Sequence, residues 1–184
     1  MIKKETIYIQ FFKGIELNTI NKMTQLVLEQ ISKGVERFVF LMSSPGGNVF
    51  AGLSAYNFLK GIPAEVITHN FGSVDSIAAI LFCSGSKRYC VPHARFILHG
   101  VTLDVKTPIQ FTEKSLEERI RNLRVDREIF SRVLTDTTGR NHAQVEYDIL
   151  EGIVLNSEQA LEYGLVHEIK TELFEKGAKI LEIT

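Results

Sequence analysis

Strand-like and helix-like stretches alternating as β-α-β-α-β-α-β predict an α/β fold, with largely parallel strands in one sheet and helices on its faces. Three observations carry that reading. Stretches with period-two apolar spacing take turns with stretches of helical spacing. Gly or Pro punctuates most boundaries between them. Apolar residues at 45% against 23% charged, in a chain of 184 residues, supply enough apolar surface for one core. One domain spanning residues 1–184 is expected, with one projecting element.

Thr6 to Phe12 sets Ile7, Ile9 and Phe11 on one face, as a strand does. Asn18 is placed to cap a helix in which Ile20, Met23, Val27 and Ile31 keep helical spacing, and Gly34 ends it. Arg37 to Met42 is a β-branched and aromatic run, hence a second strand. Ser43-Ser44-Pro45-Gly46-Gly47 breaks it, and Val49 to Lys60 resumes as a helix. After Pro63 a short strand is expected from Glu65 to His69, then a loop at Gly72-Ser73-Val74-Asp75. Ser76 to Cys83 is small and apolar enough to be a helix buried on all sides. Short strands then flank Pro92, at Arg88 to Val91 and Arg95 to His99.

From Glu113 to Thr135 runs one long helix, with Leu116, Ile120, Leu123, Phe130 and Leu134 on one stripe and a dense mixture of Arg and Glu elsewhere. Lying outside the βα alternation, it is expected to project and to rest against a partner chain. Thr138-Gly139 ends it, and a further helix spans Ala143 to Leu150. Asn156-Ser157-Glu158-Gln159 has the form of a capping box for a short helix closed by Gly164, and Leu165 to Ile169 reads as the last strand.

With 21 basic and 22 acidic residues the net charge is −1, which carries no electrostatic footprint for nucleic acid or an anionic membrane. The longest purely apolar run, Ile77 to Cys83, is far too short to span a bilayer. The first residues read as the approach to a strand and not as a signal peptide. Cys83 and Cys90 sit in apolar surroundings at a spacing that matches no zinc or redox motif, which suits a reducing, cytoplasmic setting. The five histidines build no four-ligand metal site.

Three segments bear chemistry. The Pro45-Gly46-Gly47 turn permits positive φ and lets bare N–H groups face a ligand. In Gly72-Ser73-Val74-Asp75-Ser76-Ile77, Ser76 stands at a helix start, where free N–H groups favour developing negative charge. In Phe96-Ile97-Leu98-His99-Gly100, a histidine closes a strand at the edge where open α/β sheets keep reactive groups. A histidine is the natural base for a serine hydroxyl at neutral pH. Taken singly, the three also read as an ordinary turn, an N-cap and a satisfied sheet-edge histidine.

Together they resemble the proteolytic subunit family of the Clp protease, within the wider Clp/crotonase-type fold. The resemblance runs from about Arg37 to Ile169, and weakly over the first 36 residues. It rests on Ser44-Pro45-Gly46-Gly47, on Gly72-x-x-x-Ser76, on the strand ending in His99 and on Glu162-Tyr163-Gly164-Leu165-Val166. It implies a head at residues 1–106 and 140–184, and a handle helix at about 107–139. It further implies Ser76 as nucleophile, His99 as general base, and the N–H groups of Gly47 and Ile77 as the oxyanion hole. The serine acyl-transfer chemistry so implied calls for no metal or organic cofactor. Peptides or unfolded proteins would be the substrates, inside a homo-oligomeric ring formed through the helix at 113–135.

Three departures from that family pattern stand out. Gly152 occupies the place of the third triad member, an aspartate, and a glycine cannot orient an imidazole. Glu151 is the first substitute, with Asp148 and Asp104 behind it. Asp75 stands directly before Ser76, where the family has a small residue. The first strand starts at Thr6, leaving no room for axial loops, which argues against the ATP-driven unfoldase partner the resemblance allows. A serine peptidase is therefore the leading reading. A catalytically silent ring protein is the rival, and an acyl-coenzyme A enzyme of the same fold comes third, because it leaves Ser76 and His99 without work.

Overall fold

A computed structural model describes residues 5–102 and 110–183. The expected α/β class is observed. In chain order the elements are β1 (Thr6–Phe12), α1 (Leu17–Ser32), β2 (Arg37–Ser44), α2 (Val49–Gly61), β3 (Glu65–Asp75), α3 (Ile77–Phe82), β4 (Lys87–Cys90) and β5 (Arg95–Leu98). They continue as α4 (Glu113–Thr138), α5 (His142–Glu151), β6 (Ile153–Asn156), α6 (Ser157–Tyr163), β7 (Glu168–Ile169) and β8 (Ile180–Glu182). The sheet runs β6-β5-β3-β2-β1-β8, with β4 beside β3 and β7 beside β4. Every pairing is parallel except that of β5 with β6.

The period-two pattern sorts residues between the two sheet faces. Ile7, Ile9, Phe11, Phe38, Phe40 and Met42 enter a core shared with α1, α2 and α3. On the opposite face Tyr8, Val39, Leu41, Ile67 and Tyr89 form a smaller cluster under Leu173. The last turns of α4, through Phe130, Val133 and Leu134, join Val145 and Ile149 of α5 in the main core. The remainder of the expected α4 stripe differs: Leu116 and Ile120 are 45% and 47% exposed. The helix is thus anchored at its C-terminal end only. The sequence pattern reports that a face is apolar, and not what covers it.

Several boundaries differ from the sequence reading. Helix α1 starts at Leu17, with Glu16 as an N-cap lacking any side-chain hydrogen bond, so Asn18 lies inside the first turn and caps nothing. Strand β3 does not stop at His69. It continues to Asp75, because it changes neighbours: Ile67 to Asn70 pair with β4, and Ser73 to Asp75 pair with β5. Buried Asn70 bridges that change, accepting from Gly72 N–H (2.9 Å) and donating to Arg95 C=O (2.9 Å). The expected strand at Leu165 to Ile169 shrinks to β7, since the N–H groups of Leu165 and Val166 go to Ala160 C=O and close α6. Strand β8, not foreseen, adds to β1. The caps at Gly139, Asn156 and Gly164 are where the sequence puts them.

Arg88 holds several of these pieces together. Its guanidinium is buried and meets no carboxylate among the described residues; it donates to the carbonyls of Gly85 (3.1 Å), Leu165 (2.8 Å), Thr137 (3.2 Å) and Gly164 (3.3 Å). Thr137 and Gly164 end α4 and α6, so one cation serves the negative ends of two helices.

Candidate active site

The carboxyl ends of β2, β3 and β5 lie side by side, and each delivers one of the chemistry-bearing segments. After β2 the chain turns through Gly46 (φ +88°) and Gly47 (φ +144°), a path that L side chains rarely follow. Space demands glycine as well. A Cβ on Gly47 would stand 2.4 Å from Ile15 O, and one on Gly46 would stand 2.8 Å from Asp75 O and 2.9 Å from Ser76 Cβ. The turn therefore rests directly on the Asp75-Ser76 corner. Ile15 clamps it, donating to Gly46 C=O (2.8 Å) and accepting from Asn48 N–H (2.7 Å). The Gly47 N–H between those two bonds has no hydrogen-bond acceptor among the described residues.

Ser76 sits where β3 becomes α3. Its N–H donates to Ile97 C=O (2.8 Å), and helix α3 begins at the next residue. Its φ of +58° is the only positive value at a non-glycine among the described residues. Such a conformation costs on the order of 1–3 kcal/mol and persists only where surroundings enforce it. The side chain makes no capping hydrogen bond, so the ordinary N-cap reading does not describe it. A serine on a sharp strand-to-helix corner exposes its hydroxyl at the sheet edge, as nucleophile elbows do. Helix α3 has only six residues, so the local Ile77 N–H, free at the first helical position, matters here more than a long helix dipole.

His99 follows β5, next to β3 in the sheet. Asp75 pairs with Ile97, which puts Ser76 and His99 on one edge of adjacent parallel strands. No hydrogen bond joins Ser76 Oγ to the imidazole; in unliganded sites such bonds are often long and tighten on substrate binding. The ring is held through Nδ1, which lies 2.7 Å from Gly100 C=O. A carbonyl only accepts, so Nδ1 carries the proton and the Nε2 lone pair remains available.

The substitutes for a third member fare differently. Antiparallel pairing of β5 with β6 sets Gly152 beside His99, and a Cβ there would stand 3.7 Å from His99 Cβ. Gly152 has φ +77° and caps α5, donating to Asp148 C=O (3.0 Å). Glu151 ends that helix as an exposed residue and makes no hydrogen bond or ion pair among the described residues, with His99 or any other. Asp148 is buried, but both oxygens are engaged: Oδ2 accepts from Tyr163 OH and Oδ1 from the Gln144 amide, each at 2.8 Å. That bond and burial together raise the Tyr163 phenol well above its usual range, burial being the larger cause. Asp104 lies outside the described residues. No carboxylate among the described residues touches His99.

Asp75 turns away from the corner. Ser73 Oγ donates to it (2.5 Å), Arg95 Nη2 lies 3.9 Å from its other oxygen, and Arg95 Nε donates to Ser73 Oγ (2.9 Å). Its charge is thus answered on the strand surface. The thiols of Cys83 and Cys90 are pushed up to about 11 by burial and stand apart from this edge. A cavity of about 740 Å³ lined by Tyr8, Val39, Ile67, His69 and Tyr89 belongs to the other face of the sheet and holds neither Ser76 nor His99.

The part sequence reasoning missed is the Gly100 carbonyl, a group every residue carries and no side-chain pattern can mark. The chain as a whole is similar to known proteins. The family model for Clp protease matches residues 1–172. The chain is 30% identical over 162 residues to the ATP-dependent Clp protease proteolytic subunit 3 of Synechococcus sp. (strain CC9605), covering 85% of this chain and 76% of that protein. It is 29% identical over 162 residues to the protein of the same description from Parasynechococcus marenigrum (strain WH8102), with the same coverage.

Proposed function

The chain belongs to the Clp protease family, and from that premise we propose that it is a serine endopeptidase acting on peptides or unfolded proteins through an acyl-enzyme on Ser76. His99 Nε2 takes the Ser76 Oγ proton as Oγ attacks the peptide carbonyl carbon. The oxyanion that forms accepts from the N–H groups of Gly47 and Ile77. The imidazolium returns its proton to the leaving amine as the C–N bond breaks, and water repeats the sequence on the ester. One observation carries the reading: the strained φ of Ser76 at a strand-to-helix corner, against a two-glycine turn whose Gly47 N–H has no acceptor among the described residues.

An active-site phosphonate followed by peptide mapping tests it. The label is expected on Ser76 in wild-type protein, and on neither the Ser76→Ala nor the His99→Ala variant. Folded wild type that takes no label favours the silent ring protein, a reading that gains support from the glycine standing beside His99.

The same proposal includes assembly with further copies of this chain. The head at residues 1–106 and 140–184 would carry the site, and the handle at 107–139, described from residue 110, would make the ring. Support comes from Leu116, Ile120, Val125 and Ile129, apolar side chains exposed along α4. Light scattering at micromolar concentration should give several times 20.8 kDa. A particle of that mass alone would remove the chamber and leave the peptidase chemistry standing. The relatives are named as ATP-dependent, which supports an ATP-driven partner here. No helix among the described residues is long and apolar enough to cross a membrane. Work in the reducing cytoplasm suits the two buried free thiols.

A further inference from the structure

Resting on the serine-peptidase reading, we infer that the main-chain carbonyl of Gly100 is the positioning group for His99, doing the orienting half of a triad carboxylate's work where no carboxylate among the described residues does the charged half. An orienting carboxylate does two separable things. It fixes the tautomer and direction of the imidazole, and its charge stabilises the imidazolium that forms in the transition state. The carbonyl at 2.7 Å from Nδ1 does the first, since it accepts only from an N–H. Being neutral, it does little of the second.

Among the described residues, the surroundings leave this task to the backbone. Both Asp148 oxygens are committed to Tyr163 and Gln144, Glu151 is exposed, and Gly152 presents no side chain to the ring. A Cβ at Gly100 would meet only Ile149 O, at 3.8 Å, so crowding does not dictate glycine there; what Gly100 contributes is the aim of its carbonyl. A base with the correct tautomer and no counter-charge is competent but slow.

Two measurements test the assignment. Nitrogen NMR of wild-type protein carrying ¹⁵N-histidine, with the His99 signals identified by their loss in His99→Gln, reads the tautomer directly. The Nδ1–H form is expected for neutral His99, and the Nε2–H form would overturn the inference. The second compares Gly152→Asp with Gly152→Asn. Asp and Asn are the L residues most tolerant of positive φ and share one shape, so backbone strain cancels between them. Either side chain would start 3.7 Å from His99 Cβ, and only one brings charge. The Asp variant should exceed the Asn variant in kcat by about 10-fold or more with KM unchanged, because supplying the missing charge acts on the transition state alone. Equal kcat values in two folded variants would show that charge is not what the site lacks. Were neither variant to fold, the tautomer measurement on wild type still decides. Should the phosphonate leave wild-type Ser76 unlabelled while the Nδ1–H form is present, the peptidase reading falls and the hold of Gly100 on the ring stands.

Discussion

Replacing Ser76 by alanine is expected to lower kcat for a peptide substrate by about 10³-fold while the protein stays folded. The size follows from what the site has and lacks. In a serine protease with a complete triad, loss of the nucleophile costs about 10⁶ in kcat, and loss of the carboxylate alone costs about 10⁴ or a little more. A site with no carboxylate among its described residues has roughly 10² left to lose when the serine goes. Here the Gly100 carbonyl preserves the tautomer, which is much of what the carboxylate provides, so the remaining loss lies above that floor. His99→Ala should fall to nearly the same level, because nucleophile and base act as one unit and their losses do not add. Ser73→Ala is the matched control: its hydroxyl bridges Asp75 and Arg95 on the strand surface. Steady-state kinetics on all four proteins checks this, and a wild-type rate no higher than that of Ser76→Ala would leave the silent reading in possession.

Arg88→Met should cost about 3–5 kcal/mol of stability, since a buried acceptor left without its donor costs about 1–3 kcal/mol and several carbonyls share this one cation. The methionine fills the volume but donates nothing, so the carbonyls of Gly85, Thr137, Gly164 and Leu165 lose a shared donor in a place with little water. At this chain length each kcal/mol is worth about 2–4 °C in Tm, so calorimetry should show a fall of roughly 6–20 °C. Burial lowers the guanidinium from its ordinary value, yet Arg remains charged at any working pH. Arg88→Lys separates charge from geometry. It keeps the cation and loses the planar fork, so its Tm should fall between the other two. A Met variant within 2 °C of wild type would mean that other groups or water satisfy these carbonyls and that Arg88 does not anchor the ends of α4 and α6.

Much of the architecture is legible without coordinates, for reasons that differ by element. Strand β1 is read to its ends because its alternation is uninterrupted and only one face enters the main core. Helix α6 is read from its capping box and closing glycine, both local signals. Helix α1 is misread at its start, since Asn18 carries the chemistry of a cap but lies one residue inside the helix, where Glu16 opens it without side-chain help. Strand β3 is cut short on paper because Gly72 and Ser73 have turn-like composition; pairing with β5, which begins at Ser73, carries the strand on to Asp75.

For the candidate site the division is similar. The identities of Ser76, His99 and the Pro-Gly-Gly turn, and the want of a carboxylate at Gly152, belong to the residues themselves and could be read from their order alone. That Ser76 occupies a strained corner and not a cap, that Asp148 is spent on Tyr163, and that His99 leans on the carbonyl of Gly100 were decided only when β2, β3, β5 and β6 became neighbours. The reason is physical. Side-chain chemistry and local periodicity are written into each residue, whereas strain, burial and the aim of a main-chain carbonyl exist only after distant strands have set the path of the backbone.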